Sequence, residues 1–493
     1  MTDTLDPTTT TGDTPRPATT ADTARRTGAP VGTDPFDAAT IVDHVRDGFD
    51  RGLTRPLAWR RNQLTAMEHM LRDNADRLVA ALAADLHKPE TEAWTTEIGF
   101  TLADIDHQKS NLAEWAEPRK VKIPMMFQPA SGRIVPEPKG VALIIAPWNY
   151  PLQLLLSPMA AAIAAGNAVV AKPSESAPAT SAALAQLCAG YLDTATVAVV
   201  EGAVDESNAL LEQRFDHIFF TGGTEVGKIV MRAAAEHLTP VTLELGGKSP
   251  AIVAADADVE VAARRIAWGK FVNSGQTCIA PDYVLVARPL RDRLVGAIES
   301  SVREFYGDDA RQSPDYGRII TDDHFERVTG LLDAEGSGTV AFGGSSDASE
   351  RYVEPTVLLD PDPDGAVMSE EIFGPLLPVI TIDTVDEAID FVNEREKPLA
   401  LYVFTDDDAV AERTIKLTSS GGVGVNGTLL HIGPPELPFG GVGPSGMGSY
   451  HGQAGFDTFS HLKSVYDRKT WPDLKVMYPP YTGLKQRLVK LLQ

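Results

Sequence analysis

The chain has 493 residues, 43% of them hydrophobic and 23% charged. Most of it can therefore bury a core that offsets its ordering entropy, and at roughly 150 residues per domain it divides into about three units. Wholesale disorder and a small disulfide-stapled scaffold are excluded, and the net charge of −24 repels phosphate backbones, so nucleic acid is not expected as a partner.

Residues 1–35 hold twelve Thr and five Pro with hardly any large apolar side chain, which predicts a disordered tail. From Phe36 to about Lys120 apolar residues recur at helical spacing, as in the run from Leu57 to Leu82, and several successive helices are expected. Val121 to Gly140 is rich in Pro and Gly and reads as an irregular hairpin or arm. Beyond Gly140, short β-branched runs alternate with helix-length segments: 141-VALIIAP, 168-AVVAKP, 197-VAVVEG, 217-HIFFTG and 241-VTLELGG. That alternation predicts a doubly wound parallel sheet. It resumes with 249-SPAIVA, a helix near Val259–Phe271, strands near 283-YVLVA, 339-TVAF, 353-VEPTVLL, 376-LLPVITI and 401-LYVFT, and a helix at 386-DEAIDFVNE, enough for a second α/β domain. The segment 455-GFDTFSHLKSV is expected to be a strand pairing with the Val121–Gly140 arm.

Leu154 to Ala171 is the most membrane-like stretch, but Ser157, Pro158, Gly166 and Asn167 interrupt it, and a buried helix running into a strand is expected. The start of the chain is Thr-rich and acidic rather than basic and then apolar. The two cysteines, Cys188 and Cys278, suit a reducing compartment, so cytoplasmic residence is expected. In 484-LKQRLVKLLQ, Leu484, Leu488 and Leu491 fall at helical spacing between Lys485, Arg487 and Lys490. A packed or frayed terminal helix is preferred there to a membrane-surface anchor.

In open α/β sheets ligands bind beyond the carboxyl ends of the strands. Those positions here are 147-PWNYP, 172-KPSE, 221-TGGTEVGK and 244-ELGGK, so Asn149, Lys172, Gly222 and Glu244 are expected on one rim. Each has a structural alternative. Asn149 fits a self-bonded turn as well as an amide donor. Lys172 fits a solvated charge and Glu175 an acid complementing a helix dipole, as well as a nucleotide-binding pair. The run 222-GGTEVG lacks the G-x-G-x-x-G spacing yet lies between strand and helix, where a pyrophosphate fits. Glu244, between Leu243 and Leu245, is an odd place for a carboxylate unless it is paired, used or at a sheet edge.

Cys188 lies in the helical run 182-AALAQLCAGYL and reads as inert packing. Cys278 lies in the loop 273-NSGQTCIAP, where a thiol gains nothing from core burial and is a candidate nucleophile. No His lies close in sequence, so Glu244 is the better candidate for a base.

With these residues in view, the chain resembles the aldehyde dehydrogenase superfamily, and within it the class 3 or fatty-aldehyde-like branch, from about residue 37 to 480. The resemblance is carried by 147-PWNYP, 172-KPSE, 220-FTGGTEVGK, 243-LELGGKSP, 268-WGKFVNSGQTCIAPDY, 370-EEIFGPLLPV and 438-PFGGVGPSGMGSYHG, seven matches in order. It implies a NAD(P)-binding domain of residues 36–120 and 140–246 and a catalytic domain of residues 247–430. It also implies a small β oligomerisation arm of 121–139 with 435–466, a C-terminal tail of 467–493, and a homodimer. By the same resemblance Cys278 is the nucleophile, Glu244 the general base and Asn149 a side-chain donor to the oxyanion. The cofactor contacts it implies are Trp148, Lys172, Glu175, Gly222, Gly223, Thr224, Gly227, Leu245, Glu371 and Phe373; no metal is implied. Gly223 departs from the Ser common in the family and removes a hydroxyl contact to phosphate.

The expected reaction is oxidation of an aldehyde to a carboxylate through a thiohemiacetal and thioester on Cys278. The chain length and type of the aldehyde stay open. Glu175 near a ribose favours a free 2′-hydroxyl and hence NAD, with NADP left open. Two alternatives remain at this stage. A cysteine-dependent esterase or thioesterase would have no use for Lys172, Glu175 and Glu371, and a catalytically silent scaffold would not need Cys278, Glu244 and Asn149 intact.

Overall fold

Strand-length apolar runs that end at Pro or Gly build two sheets, and the helices between them cover the faces. In this computed structural model residues 36–473 and 475–492 are described; the expected tail of residues 1–35 lies outside them. The helices expected before Lys120 are Ala38–Asp50, Leu57–Asp73, Ala75–Leu86 and Gly99–Ala116. Their apolar stripes bury Leu64, Met67, Leu78 and Ile105 in the core around the helix Gln153–Ala165. Every residue of that helix is buried, and it runs directly into the strand Ala168–Lys172.

The six-stranded sheet has the order Gly446–Met447, Val241–Glu244, His217–Thr221, Val141–Ile145, Ala168–Lys172, Val197–Val199. The seven-stranded sheet has the order Thr339–Phe342, Thr356–Leu359, Leu376–Ile382, Tyr283–Ala287, Pro250–Val253, Ala400–Phe404, Gly422–Val425. Both are parallel except at one edge strand, Gly446–Met447 in the first and Thr339–Phe342 in the second. The architecture is thus α/β with two doubly wound layers, and the sheets are mixed rather than wholly parallel.

Two strands were not expected from composition. Gly422–Val425 and Gly446–Met447 are glycine-rich and carry no β-branched alternation. Gly446 lies at φ +140°, where a Cβ would fall 2.1 Å from the Leu243 carbonyl oxygen, so only glycine lets this chain approach the Val241–Glu244 strand. Consequently Glu244 does not lie at an open sheet edge.

A separate three-stranded sheet has the order Arg119–Val121, Ala130–Pro138, Ser460–Arg468. Ser460–Arg468 pairs antiparallel with Ala130–Pro138 along its length. The segment read as one strand from residue 455 begins inside a short helix, Gly452–Thr458, and turns to strand only at Ser460. At the other end of the chain, Gly483–Leu492 is helical and Leu484 is exposed, so no packing is seen at that residue. The side chains of Leu488 and Leu491 lie outside the described residues. Among the described residues no helix is long and apolar enough to cross a membrane.

Candidate active site

The register of the six-stranded sheet brings the strand ends level. Thr221 pairs with Glu244 and Ile145 with Lys172, while the N–H of Gly222 donates to the Glu244 carbonyl at 3.0 Å and that of Ala146 to the Lys172 carbonyl at 3.1 Å. The rim expected from the strand ends is therefore present.

Opposite it stands the loop that carries Cys278. The helix Val259–Phe271 ends in a tight turn in which Asn273, Ser274 and Gly275 all take positive φ, at 51°, 52° and 76°. A left-handed conformation costs a non-glycine residue on the order of 1 to 2 kcal/mol, so the surroundings must hold the turn. They do so through buried amides. Asn273 Nδ2 donates to the Asn149 carbonyl at 2.9 Å, and Gln276 Nε2 donates to the carbonyls of Asn273 and Arg318 at 3.0 Å each. Gln276 Oε1 accepts from the Ile320 N–H at 3.0 Å. The hydroxyls of Thr277 and Tyr150 share a 2.7 Å hydrogen bond.

Two cavities meet at this loop, and a third shares part of the second one's wall. An apolar one of about 260 Å³ is lined by Phe100, Trp268, Val272, Leu429, Phe439 and Tyr450 among others. A second, of about 250 Å³, is lined by Trp148, Asn149, Gly222, Gly223, Glu371 and Phe373 among others. Cys278, Glu244 and Leu245 line both, so the thiol and the carboxylate stand where the two meet. A third, polar cavity of about 550 Å³ shares Glu371 and Gly246 with the second and adds Thr224, Lys248 and Glu370.

Burial pushes the Cys278 thiol up to about 12, helped by the nearby carboxylates of Glu371 and Glu244 and opposed by the backbone N–H groups of Cys278 and Ile279. Burial also raises the Glu244 carboxyl well above its ordinary value, and neither of its oxygens has a hydrogen-bond partner among the described residues. A buried carboxyl left unbonded is costly for folding and suits a group kept for proton transfer. Asn149 is buried, donates Nδ2 to the Gln276 carbonyl at 3.0 Å and leaves Oδ1 without a partner. One amide hydrogen remains for another acceptor.

Glu371 is held by its backbone. Lys248 Nζ donates to the Glu370 carbonyl at 2.9 Å and to Asp282 Oδ2 at 2.7 Å, and Asp282 accepts the Ile372 N–H at 3.2 Å. Lys270 Nζ, also buried, reaches Asp282 Oδ1 at 3.3 Å. Burial, then the charge of Asp282, pushes the Glu371 carboxyl up to about 8. Phe373, at φ 47°, presents its ring edge-on to Trp148 at 5.3 Å, and Trp148 packs on His324 at 4.7 Å.

Some expected contacts lie elsewhere. Lys172 and Glu175 line none of these three cavities; Lys172 Nζ donates to the Pro173 carbonyl at 2.9 Å and stands 3.6 Å from the half-exposed Glu175 carboxylate. Gly227 packs against the Leu245 side chain, where a Cβ would fall at 2.7 Å. Gly223 caps the helix Thr224–Glu236 with open space beside it, and the free N–H groups of that first turn suit an anion. Cys188 is buried, pushed up to about 12 by burial, with its sulfur 4.0 Å from that of Met70, which fits inert packing.

Sequence reasoning missed the buried charges behind the site: Asp282 with Lys248 and Lys270, and Lys88 with Glu97. Glu97 had a readable signal, since it follows Trp94 and precedes Ile98 on an apolar helical stripe. Asp282 had none beyond being a charge between Pro281 and Tyr283.

Comparison with known proteins gives a single answer. The profile of the aldehyde dehydrogenase family matches residues 13–465. The mouse (Mus musculus) "Aldehyde dehydrogenase, dimeric NADP-preferring" is 50% identical over 444 residues, 90% of this chain and 97% of that protein. "Aldehyde dehydrogenase family 3 member A2" of Macaca fascicularis is 50% identical over 449 residues, 90% and 91% of the two chains. The substrate-bound AldH of Staphylococcus aureus superposes with a TM-score of 0.90 at 43% identity, covering 93% of this chain and 100% of its own. The indole-3-acetaldehyde dehydrogenase AldA of P. syringae, solved with NAD+, superposes at 0.81 with 29% identity, covering 88% and 90%.

Proposed function

The chain belongs to the aldehyde dehydrogenase family, and from that membership we propose that Cys278 attacks an aldehyde carbonyl, Asn149 steadies the resulting oxyanion and Glu244 activates the water that releases the product. The observation that carries this reading is the position of Cys278 and Glu244 at the junction of an apolar cavity and a second one that reaches Gly222, Gly223 and Glu371. An aldehyde with an apolar tail fits the first, and the nicotinamide end of a dinucleotide fits the second.

The enzyme is an NAD(P)-dependent aldehyde dehydrogenase, and the residues present suit that cofactor. Gly246 leaves open the space that the Glu371 carboxylate occupies, so an acceptor for ribose hydroxyls stands at the cavity wall. Gly222, Gly223 and Thr224 lead into a helix N-terminus suited to the pyrophosphate. Trp148, Phe373 and Leu245 would flank the nicotinamide end, and Lys172 with Glu175 would meet the far ribose. When bound, the cofactor accepts a hydride from the substrate carbon.

The protein supplies the rest. The thiol gives its proton to solvent water, the C–S bond of a thiohemiacetal forms as the carbonyl π bond breaks, and the oxygen gathers charge that the free Asn149 amide hydrogen and the Cys278 N–H would meet; losing such a donor costs on the order of a hundred- to a thousandfold in rate. Loss of hydride leaves a thioester. Glu244 then takes a proton from water, which attacks the thioester carbon and frees the carboxylate and the thiol. Burial raises the Glu244 carboxyl well above its ordinary value, which makes its carboxylate a stronger base toward that proton.

The arm places Met125 and Phe127 at the surface, which supports a homodimer formed through it; the mouse relative is named as dimeric. Both cysteines are free, which supports the cytoplasm as the compartment. The test is steady-state oxidation of straight-chain and aromatic aldehydes with NAD and with NADP. Formation of reduced nicotinamide, faster for apolar aldehydes than for charged ones, is expected; no reduction with any aldehyde would overturn the reading.

A further inference from the structure

Lys88 and Glu97 form an ion pair at 2.6 Å with neither side chain exposed. Burying two charges is costly, and such pairs persist where further hydrogen bonds satisfy them. Every one of those further bonds reaches the short segment that carries Asn149. Glu97 Oε2 accepts the N–H groups of Leu152 at 3.0 Å and Gln153 at 2.9 Å. Lys88 Nζ donates to the Asn149 carbonyl at 3.0 Å and lies 4.1 Å over the Tyr150 ring.

The pair thus grips residues 149–153 at both ends. A plain helix cap would explain Glu97, because Leu152 and Gln153 open the helix Gln153–Ala165. It does not explain Lys88, whose bond goes to a carbonyl ahead of the helix. Asn273 Nδ2 reaches the same carbonyl from the Cys278 loop. Asn149 is therefore fixed from two sides, by the ion pair and by the turn that carries the thiol.

We infer that Lys88 and Glu97 are positioning residues that hold the Asn149 amide toward the carbonyl oxygen of the substrate. The inference rests on the reading of Asn149 as oxyanion donor given above. Neither side chain touches substrate; both act through the backbone of the 149–153 segment.

The test is a double-mutant cycle of Lys88→Met and Asn149→Ala, read as kcat and as KM for aldehyde and for cofactor, with the melting temperature and the rate of Cys278 alkylation alongside. Lys88→Met alone is expected to lower kcat by about tenfold or more while the cofactor KM moves less than about twofold. In the Asn149→Ala background the same change is expected to cost less than about twofold, because two residues acting through one group are non-additive. A merely structural role would give multiplying effects, and that result overturns the inference. If Asn149→Ala alone turns over at the unaltered rate, the donor reading itself falls and takes the inference with it. Should Lys88→Met fail to fold, Glu97→Gln, nearly the same shape, enters the same cycle with the same expected pattern.

Discussion

A Cβ on Gly246 would stand 1.9 Å from Oε2 of Glu371, so the carboxylate fills the space that any side chain at 246 would need. Gly246→Ala should push that carboxylate aside while leaving the Cys278 loop in place. The expected outcome is a rise of about tenfold or more in the KM for NAD(P), with Cys278 alkylation little changed. Titration of cofactor binding to the variant checks it, and an unaltered affinity would contradict the role given to Glu371.

The turn ahead of the thiol offers a second site. Gly275 sits at φ +76°, and a Cβ there would meet the Gly374 carbonyl oxygen at 2.3 Å, a backbone atom that cannot swing away. Gly275→Ala is expected to destabilise the fold by about 2 to 4 kcal/mol and to displace Cys278. Chemical denaturation with activity measured in parallel checks both effects.

The ends of several strands were legible because a Pro, Gly or polar residue follows closely, which put Asn149 and Glu244 on one rim, while Cys278 was legible from its glycine-containing loop between a helix and the next strand. Less was legible where a residue acts through backbone atoms distant in sequence. Nothing near Lys88 announces that its ammonium group reaches the Asn149 carbonyl, and Gly446–Met447 forms a strand only because Leu243 and Glu244 offer it a ladder. Lys172 and Glu175 show the opposite case. Their motif is readable, yet they pair with each other and line none of the cavities at the thiol.

The protonation state of the thiol gives a third expectation. With Cys278 pushed up to about 12 by burial and by the carboxylates of Glu371 and Glu244, the thiolate fraction of the cofactor-free protein grows about tenfold for each unit of pH. Alkylation by iodoacetamide should therefore climb steadily from neutral pH to about pH 9 without a plateau. Glu371, itself pushed up to about 8, is charged near pH 9, so Glu371→Gln removes a negative neighbour there and should speed alkylation at that pH while changing it little near neutral pH. A plateau near neutral pH would contradict the assignment of burial as the cause.

Glu244 provides the fourth. Burial holds its carboxyl well above the ordinary range, so the base form increases as pH rises, and turnover limited by thioester hydrolysis should rise with it. Glu244→Gln has no carboxylate to take the proton of water. Its time course should show a burst of reduced cofactor of about one equivalent and then stall. A slow linear trace with no burst would move Glu244 to an earlier step.

In the proposed reaction the acyl group rests on Cys278, and intact-protein mass spectrometry of the Glu244→Gln variant after mixing with aldehyde and NAD reads that bond out. The predicted result is a mass gain equal to the aldehyde less two hydrogens, mapped to the peptide carrying Cys278. Reduced cofactor formed with no adduct, or an adduct on Cys188, would contradict it.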